Sequence, residues 1–386
     1  MKVLLVNWQD RRNPEAGGAE IHLFELFSRL ARRGHTVRLI CCGFEGGAAE
    51  ESVDGIDVRR HGTRHSFAWR GLRAVSRAAR SFQPDVIVDD INKLPLFTPL
   101  VTDRPLYAIV PHLFGATAFQ EVAWPVAATV FAAELAIPRV YRRAWFHAIS
   151  DSTRDDLVRR GIPRERIAVV YPGVDTRHFA PDANLPRRDP AGFVYIGRLK
   201  RYKGLDILIQ ALAIARRTRP DLSLDIAGTG DDRVRLEALA KSQGLSGTVR
   251  FHGFVNDATR LRLLREAVAN VFPSPKEGWG ITVMEAAACG TPSLASNSPG
   301  LRDSVRDGQT GVLVPHGDAT RLAAEMLRLA SDPALVDRLG GAARAWAECL
   351  TWDAAAHVVE QHLLNLAAGL PAFAPAENQG VPAAIS

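Results

Sequence analysis

A basic segment at residues 197–204 combines the side chains that proteins use to bind phosphate. It reads Gly-Arg-Leu-Lys-Arg-Tyr-Lys-Gly and contains no acid that could pair its cations. Arginine offers a planar fork to phosphate oxygens, and lysine offers a mobile point charge. The segment follows a predicted strand at residues 193–196, and ligands bind at the carboxyl ends of such strands. We therefore expect Arg198 and Lys203 to hold a diphosphate from two sides, with a solvated basic loop as the alternative.

Two glutamates, Glu277 and Glu285, are separated by seven residues. Glu277 lies in a glycine-broken loop, and Glu285 lies in the helix that is predicted to follow. A carboxylate accepts two hydrogen bonds from vicinal hydroxyls, so the pair could bind a diol at each end of a ligand. The helix N-terminal amides of Gly280, Ile281 and Thr282 would favour an anion between them. The alternative is a solvated Glu277 and a Glu285 that interacts only with the helix dipole.

The turn at Gly17 and Gly18 is a further candidate for an anion site. It follows a strand-like run at residues 2–6 and opens a helix with a buried apolar stripe. Glycine lets a ligand approach the backbone, and the helix N-terminus presents unpaired amides. A tight turn in which glycine serves only packing explains the same pattern equally well.

Short β-branched runs alternate with helical patterns along the chain, which is typical of parallel sheets covered by helices. The fold class is therefore α/β, with two Rossmann-like halves. We expect strands at residues 2–6, 37–42, 85–89, 106–110, 146–149 and 167–170, and again at 193–196, 222–227, 248–251, 270–272, 292–295 and 311–314. The predicted organisation is an N-terminal domain (1–180), a linker (181–191), a C-terminal domain (192–350), a helix packing back on the N-terminal domain (351–370) and a frayed tail (371–386).

Composition narrows the protein class. Of the 386 residues, 47% are hydrophobic and 23% are charged, which excludes a disordered chain, a collagen and a coiled coil. The net charge of +6 favours anionic partners. Neither a membrane-spanning run nor a signal-peptide pattern is present, so we expect a cytoplasmic location. The four cysteines lack metal-ligand spacing and no Asp-x-Asp pair is placed to carry a divalent ion, so we expect no metal and no resident cofactor.

Residues 64–82 are basic and amphipathic, with five arginines and no acid. A second apolar stretch at 124–141 is followed by Arg142 and Arg143. Both features favour an anionic membrane surface, peripherally bound, or an acidic lipid-linked acceptor. The alternative is a helix whose apolar stripe faces the core and whose arginines are solvated. Nucleic acid is not expected as a partner, because no aromatic platform accompanies the charge.

In their order along the chain, these features resemble family 4 of the nucleotide-sugar-dependent glycosyltransferases, whose GT-B fold has two Rossmann-like domains facing across a cleft. The resemblance covers residues 1–368 and is carried by 17–20 (Gly-Gly-Ala-Glu), 197–199 with 203–204, Glu277-x7-Glu285, and 290–292 (Gly-Thr-Pro). It implies an enzyme that moves a sugar, with retention of configuration, from a UDP- or GDP-linked donor. The acceptor would be a hydroxyl of a glycan, a lipid-linked molecule or a small molecule, and metal would be unnecessary.

The resemblance also implies residue roles. Glu285 would hold the ribose hydroxyls, Glu277 the donor sugar and Gly17 the β-phosphate, while the base would rest near Val255. His112, just after a predicted strand, would face the donor sugar, unless it is only a packed or surface histidine. The expected catalytic residues are His112, Arg198, Lys203 and Glu277, and the expected donor-binding residues are Gly17, Gly18, Arg198, Lys203, Val255, Glu277, Gly280, Ile281, Thr282 and Glu285. A nucleotide-sugar 2-epimerase and a non-catalytic nucleotide-sugar-binding protein are the alternatives.

Overall fold

The computed structural model describes residues 1–117, 119, 123–182 and 191–374. The chain forms two compact units: the first comprises Met1–Gly173 together with the chain from Trp352 onward, and the second comprises Val174–Thr351. Most of the predicted linker (183–190) and most of the predicted tail (375–386) lie outside the described residues.

The first unit is built on an eight-stranded sheet with the order β3-β4-β2-β1-β5-β6-β7-β8. Its strands are β1 (Lys2–Val6), β2 (Thr36–Cys41), β3 (Glu50–Val53), β4 (Ile56–Arg60), β5 (Val86–Asp90), β6 (Leu106–Val110), β7 (Trp145–Ala148) and β8 (Ile167–Val169). Its helices before the second unit are α1 (Gly18–Arg32), α2 (Phe67–Ser81), α3 (Trp124–Val140) and α4 (Asp151–Arg159). The central strands β5 and β6 are buried throughout, as expected for a sheet that helices cover on both faces.

One edge of this sheet differs from the purely parallel arrangement that was predicted. Strands β3 and β4 form an antiparallel hairpin, and neither was predicted. Asp54 (φ 50°) and Gly55 (φ 84°) form its two-residue turn. An Asp-Gly pair is a strong hairpin signal, because both positions of this turn need positive φ. The signal was present in the sequence and was missed.

The second unit has a six-stranded parallel sheet with the order β11-β10-β9-β12-β13-β14. Its strands are β9 (Gly192–Ile196), β10 (Ser223–Ala227), β11 (Val249–Gly253), β12 (Ala269–Phe272), β13 (Ser293–Ser296) and β14 (Gly311–Val314). Its helices are α5 (Leu205–Ala215), α6 (Arg233–Ser242), α7 (Asp257–Glu266), α8 (Ile281–Ala288), α9 (Leu301–Ser304), α10 (Ala319–Ser331) and α11 (Pro333–Glu348). Helix α7 was not predicted, although Asn256 caps it by accepting a hydrogen bond from the Thr259 amide (2.9 Å).

The amphipathic stretch at 64–82 forms α2, and its stripe faces the core. Phe67, Val75 and Phe82 are buried in the hydrophobic cluster under the sheet. Trp69 is the exception, with 60% of its surface exposed, and the guanidinium of Arg73 lies 3.8 Å from its ring centroid. The core-facing alternative is therefore correct for most of this helix.

The last helix, α12 (Trp352–Ala367), packs against α1 and β5 of the first unit. Three buried histidines line this contact: His22 of α1, His147 of β7 and His362 of α12. The ring centroids of His22 and His147 are 5.4 Å apart, and the Tyr107 hydroxyl lies 2.9 Å from His362 Nδ1. Burial lowers the pKa of His22 to about 3 and that of His362 to about 4, so both rings are neutral at pH 7.

Acid should therefore destabilise the first unit. A neutral buried histidine takes up its proton only on unfolding. The free energy of unfolding is therefore highest above pH 6.5, the unfolded pKa, and falls progressively as the pH drops below that value. At pH 5 we expect a loss of about 2 kcal/mol for each such histidine. Urea unfolding at pH 7 and pH 5 should show a smaller loss for His22→Leu. His357→Gln, an exposed change on α12, is the control and should behave as the wild type. If His22→Leu lost as much unfolding free energy between pH 7 and pH 5 as the wild type, the buried His22 would not be a cause of the acid sensitivity.

Candidate functional site

The basic segment lies at the carboxyl end of β9, as the sequence predicted. Its backbone is fixed against the next strand's loop, because the Leu199 amide donates to the Thr229 carbonyl oxygen (2.9 Å). A Cβ on Gly228 would lie 1.9 Å from the Gly197 carbonyl oxygen, and a Cβ on Gly230 would lie 2.0 Å from that of Leu199. The two glycines therefore allow two loops to meet, which holds the segment in place.

Lys203 and Glu277 form an ion pair in this structure. The distance from Lys203 Nζ to Glu277 Oε1 is 2.6 Å, and the two side chains are only 12% and 14% exposed. Burial by itself would lower the pKa of Lys203, but the carboxylate of Glu277 outweighs it and the pKa is raised. An ammonium has three donors, so Glu277 can fix Lys203 while other donors reach a ligand. The sequence predicted separate contacts for these residues and not their pairing.

Two other cations of the basic segment, Lys200 and Arg198, lie in more exposed positions than Lys203. Lys200 pairs with Asp231 (2.8 Å) in an exposed position. The side chain of Arg198 is exposed, and its carbonyl oxygen accepts a hydrogen bond from the Tyr195 hydroxyl (3.0 Å). The segment contains no acid of its own, but acids from other loops pair two of its lysines.

The loop that carries Glu277 is held by a second glycine contact. The Glu277 amide donates to the Pro299 carbonyl oxygen (3.0 Å). Gly300 has φ +80°, and a Cβ there would lie 2.2 Å from the Glu277 carbonyl oxygen. The turn after β13 thus sets the position of Glu277 through the backbone.

Helix α8 brings the other predicted donor-binding groups to the same edge of the sheet. Its N-cap is Gly280 with φ 100°, and no side chain caps the amides of Ile281 and Thr282 that follow. These positions are half-buried, so an anion could reach them. Val255 follows β11 and is also half-buried, next to the exposed ring of Phe254.

Glu285 is buried inside α8 and is paired with Arg260 of α7. Burial raises its pKa to about 7, and Arg260 opposes this rise. The carboxyl therefore titrates near neutral pH. It can accept a hydrogen bond from a hydroxyl when ionised and donate one to a hydroxyl when protonated. Arg260 was missed because α7 was not predicted.

In the first unit, α1 begins at Gly18, directly after the turn. The amide of Gly17 donates to Glu20 Oε2 (2.7 Å), and Glu20 is 3% exposed. The loop before this turn is fixed by a buried ion pair that the sequence did not reveal. Arg60 donates to both carboxylate oxygens of Asp10 (2.7 and 3.0 Å). Their side chains are 1% and 0% exposed.

His112 lies in the loop after β6, half-buried and edge-on to Phe114 (5.0 Å between ring centroids). Glu134 of α3 holds this loop: its carboxylate accepts hydrogen bonds from the amides of Phe114 (2.7 Å) and Gly115 (2.8 Å). Arg160 lies 3.2 Å from the same carboxylate. Glu134 is not among the residues predicted from the sequence, although an acid in an otherwise apolar helix is a visible signal.

The comparisons with known proteins follow the two halves of the chain. Residues 16–178 match the family model described as Glycosyltransferase Family 4, and residues 177–346 match the model described as Glycosyl transferases group 1. Glycogen synthase of Mycobacterium tuberculosis (strain H37Rv) is 30% identical over 377 residues, and the match covers 89% of each chain. This chain belongs to glycosyltransferase family 4.

Further matches agree with the family. D-inositol 3-phosphate glycosyltransferase of Streptomyces bingchenggensis is 36% identical over 227 residues, covering 54% of this chain and 50% of that protein. The sucrose-phosphate synthase structure from Thermosynechococcus elongatus has a TM-score of 0.81 at 24% identity, covering 95% of this chain and 99% of the other. Anabaena HepE in complex with UDP-glucose has a TM-score of 0.74 at 20% identity, covering 96% and 100%.

The predicted α/β fold class with two Rossmann-like units, the GT-B class and the family are thus confirmed, and so is a nucleotide-sugar glycosyltransferase. The structure gathers Lys203, Glu277, Glu285 and the α8 amides in the second unit, whereas Gly17, Gly18 and His112 belong to the first. The roles of these residues stay predictions.

The Asp10–Arg60 pair should contribute strongly to the stability of this family 4 protein. Replacing Arg60 with Ala leaves a buried carboxylate unpaired, which we expect to cost about 3–5 kcal/mol of unfolding free energy. Arg59→Ala is a matched control, since its neighbouring ion pairs are more exposed and it should cost less than about 1 kcal/mol. Urea unfolding of both variants measures the difference. Equal losses would show that the buried pair has no special weight.

Proposed function

We propose that the second unit binds a UDP-linked hexose and that the enzyme transfers the hexose with retention of configuration and without a metal ion. The observation that carries this proposal is the half-buried ion pair of Lys203 and Glu277, in which Glu277 lies three residues before Gly280, the N-cap of α8. Arg198, Lys203 and the amides of Ile281 and Thr282 would hold the diphosphate, while Glu285 would accept hydrogen bonds from the ribose. Glu277 would bind the sugar hydroxyls and orient Lys203.

The expected chemistry follows from this distribution of charge. The bond between the anomeric carbon and the β-phosphate oxygen breaks, and negative charge develops on the departing diphosphate. Cations and amides that are already in place stabilise that charge without reorganising. The acceptor hydroxyl would attack from the face that the diphosphate leaves, and its proton would pass to a phosphate oxygen. This route retains configuration and needs no enzymic nucleophile, while His112 would position the sugar.

A uridine nucleotide is the donor that we favour over a guanosine nucleotide. HepE, which shares the fold, has been crystallised with UDP-glucose. The positive charge that a divalent metal supplies elsewhere would come here from Lys203, Arg198 and helix amides. The acceptor would bind in the first unit.

Calorimetric titration with UDP, GDP and UDP-glucose in the presence of EDTA tests the proposal. We expect UDP and UDP-glucose to bind, and Lys203→Ala to weaken UDP binding by a factor of about ten to one hundred, as the loss of a charge-assisted hydrogen bond would. Arg198→Ala should act in the same direction. Lys241→Ala, an exposed change in the second unit, is the control and should bind as the wild type. Unchanged UDP affinity in both Lys203→Ala and Arg198→Ala would contradict the proposal that these residues bind the diphosphate.

We further propose that the first unit docks peripherally on an anionic bilayer. Helix α3 exposes apolar side chains, with Trp124 72%, Leu135 54% and Phe131 36% exposed. The exposed residues Arg142 and Arg143 follow its C-terminus, so the surface combines an apolar stripe with positive charge. No helix among the described residues has the length and apolar character to cross a membrane. The expected cytoplasmic location stays a prediction.

Liposome flotation tests this surface. The wild type should float with vesicles that contain phosphatidylglycerol and should stay in solution with pure phosphatidylcholine. Reversing the charge of both Arg142 and Arg143 to Glu should lower binding more than about tenfold, at about 1 kcal/mol for each cation. Leu135→Ser should weaken it too, whereas Val234→Ser, an exposed apolar position on α6, should not. If the protein stayed in the soluble fraction to the same extent with both vesicle types, α3 would not be a membrane-binding helix.

A further inference from the structure

A buried polar cluster lies at the carboxyl ends of β1 and β5, two neighbouring strands of the first unit. We call it the Asp90 cluster, and it consists of Asn7, Gln9, Glu20, Asp90, Asn92 and Lys93. Ligands of open α/β sheets bind at this edge. The cluster contains Glu20, whose carboxylate also accepts the hydrogen bond from the Gly17 amide. It therefore adjoins the glycine turn of α1.

Much of the cluster is hydrogen-bonded. Asn92 Nδ2 donates to Asn7 Oδ1 (2.8 Å) and lies 3.4 Å from Glu20 Oε1. Lys93 Nζ donates to Gln9 Oε1 (2.5 Å) and lies 3.7 Å from Glu20 Oε1. These contacts fix the side chains around Asp90 before any ligand binds.

Asp90 differs from its neighbours. It is only 3% exposed, yet neither of its carboxylate oxygens has a hydrogen-bond partner among the described residues. The same holds for the Oδ1 atom of Asn92, which is 6% exposed. Nearly all buried polar atoms in native proteins have a partner, because an unpaired one costs free energy. Three unpaired oxygens on two residues of the same short segment therefore call for a functional explanation.

The chemistry of these atoms defines the ligand. Asn92 Oδ1 accepts hydrogen bonds, and the Asp90 carboxyl accepts them when ionised and both accepts and donates when protonated, so the complementary ligand must be able to donate hydrogen bonds. Burial, and then the nearby carboxylates of Glu20 and Asp89, raise the pKa of Asp90 well above its usual range, although Lys93 opposes this. A phosphate has no donors when ionised, and Glu20 would repel it. A neutral ring with several hydroxyls meets the requirement.

We propose that the Asp90 cluster binds the hydroxyl groups of the acceptor, a sugar or cyclitol ring, with Asp90 and Asn92 accepting hydrogen bonds from adjacent hydroxyls. This inference rests on the proposed transfer to a hydroxyl acceptor. It identifies the part of the acceptor that is recognised as its neutral, hydroxylated ring. Any phosphate or lipid of the acceptor lies away from the cluster.

The test measures binding of free myo-inositol, glucose and maltose, and of phosphatidylinositol vesicles, by saturation-transfer NMR or calorimetry. We expect the wild type to bind at least one of these probes, and Asp90→Asn and Asp90→Leu to bind it at least tenfold more weakly. Asp103→Asn, an exposed change in the same unit, should bind as the wild type. Binding of vesicles without free myo-inositol would identify a lipid-borne ring, provided that Asp90→Leu abolishes it.

Thermal unfolding separates a binding role from a structural one. Because neither Asp90 oxygen has a hydrogen-bond partner among the residues that the structure covers, Asp90→Leu should unfold at the same temperature as the wild type or higher, as is usual when a binding residue is removed. A wild type that binds none of the probes, or an Asp90→Leu variant that binds them equally well, would overturn the assignment. So would a lower unfolding temperature in both Asp90 variants with unchanged probe affinity.

UDP titration of the same samples keeps this inference distinct from the proposed function. UDP affinity should be equal in the wild type and in both Asp90 variants. UDP binding without binding of any ring compound overturns the Asp90 cluster and leaves the donor site standing. Ring binding that depends on Asp90 in a protein that binds no nucleotide supports the cluster and contradicts the proposed donor site.

Discussion

The ion pair of Lys203 and Glu277 depends on a property of parallel sheets, in which all strands end at one edge. Lys203 follows β9 and Glu277 follows β12, and these strands are neighbours although the residues lie 74 positions apart. With most of the water excluded, the two charges attract each other more strongly than on an open surface. The pair keeps a lysine charged and in a fixed place, which the proposed diphosphate site requires. The glycines at 228, 230 and 300 serve the same end, because they let the supporting loops approach closely.

The first unit positions its loops with buried polar groups. The Asp10–Arg60 pair fixes the chain before the glycine turn, and Glu134 fixes the loop of His112. Such groups are costly to bury, and they are tolerated because each satisfies the other's hydrogen bonds. Asp90 is an exception at the same sheet edge. An unsatisfied group among satisfied ones is what a binding site contains when it is organised before its ligand arrives.

Much of the fold could be predicted from local patterns. The strands of both sheets, apart from the β3–β4 hairpin, follow from β-branched runs. The hairpin and α7 were missed despite an Asp-Gly turn and an Asn cap in the sequence. The candidate site was found only in part. Its glycines, cations and glutamates were identified, but Arg260, Glu134 and the Asp10–Arg60 pair were not, since each acts through a partner far away in the chain.

The sequence by itself determined the α/β class, the two halves and the segments suited to anions, because periodicity, turns and helix ends depend on neighbouring residues. Only the tertiary structure decided which charges meet. It paired Lys203 with Glu277 and turned the α2 stripe toward the core, and it left the buried carboxylate of Asp90 with no hydrogen-bond partner in the part of the chain that the structure describes. These outcomes depend on burial and on distances between residues far apart in the chain. No local pattern encodes them, because the desolvation and Coulomb energies that set them arise only when the sheets form.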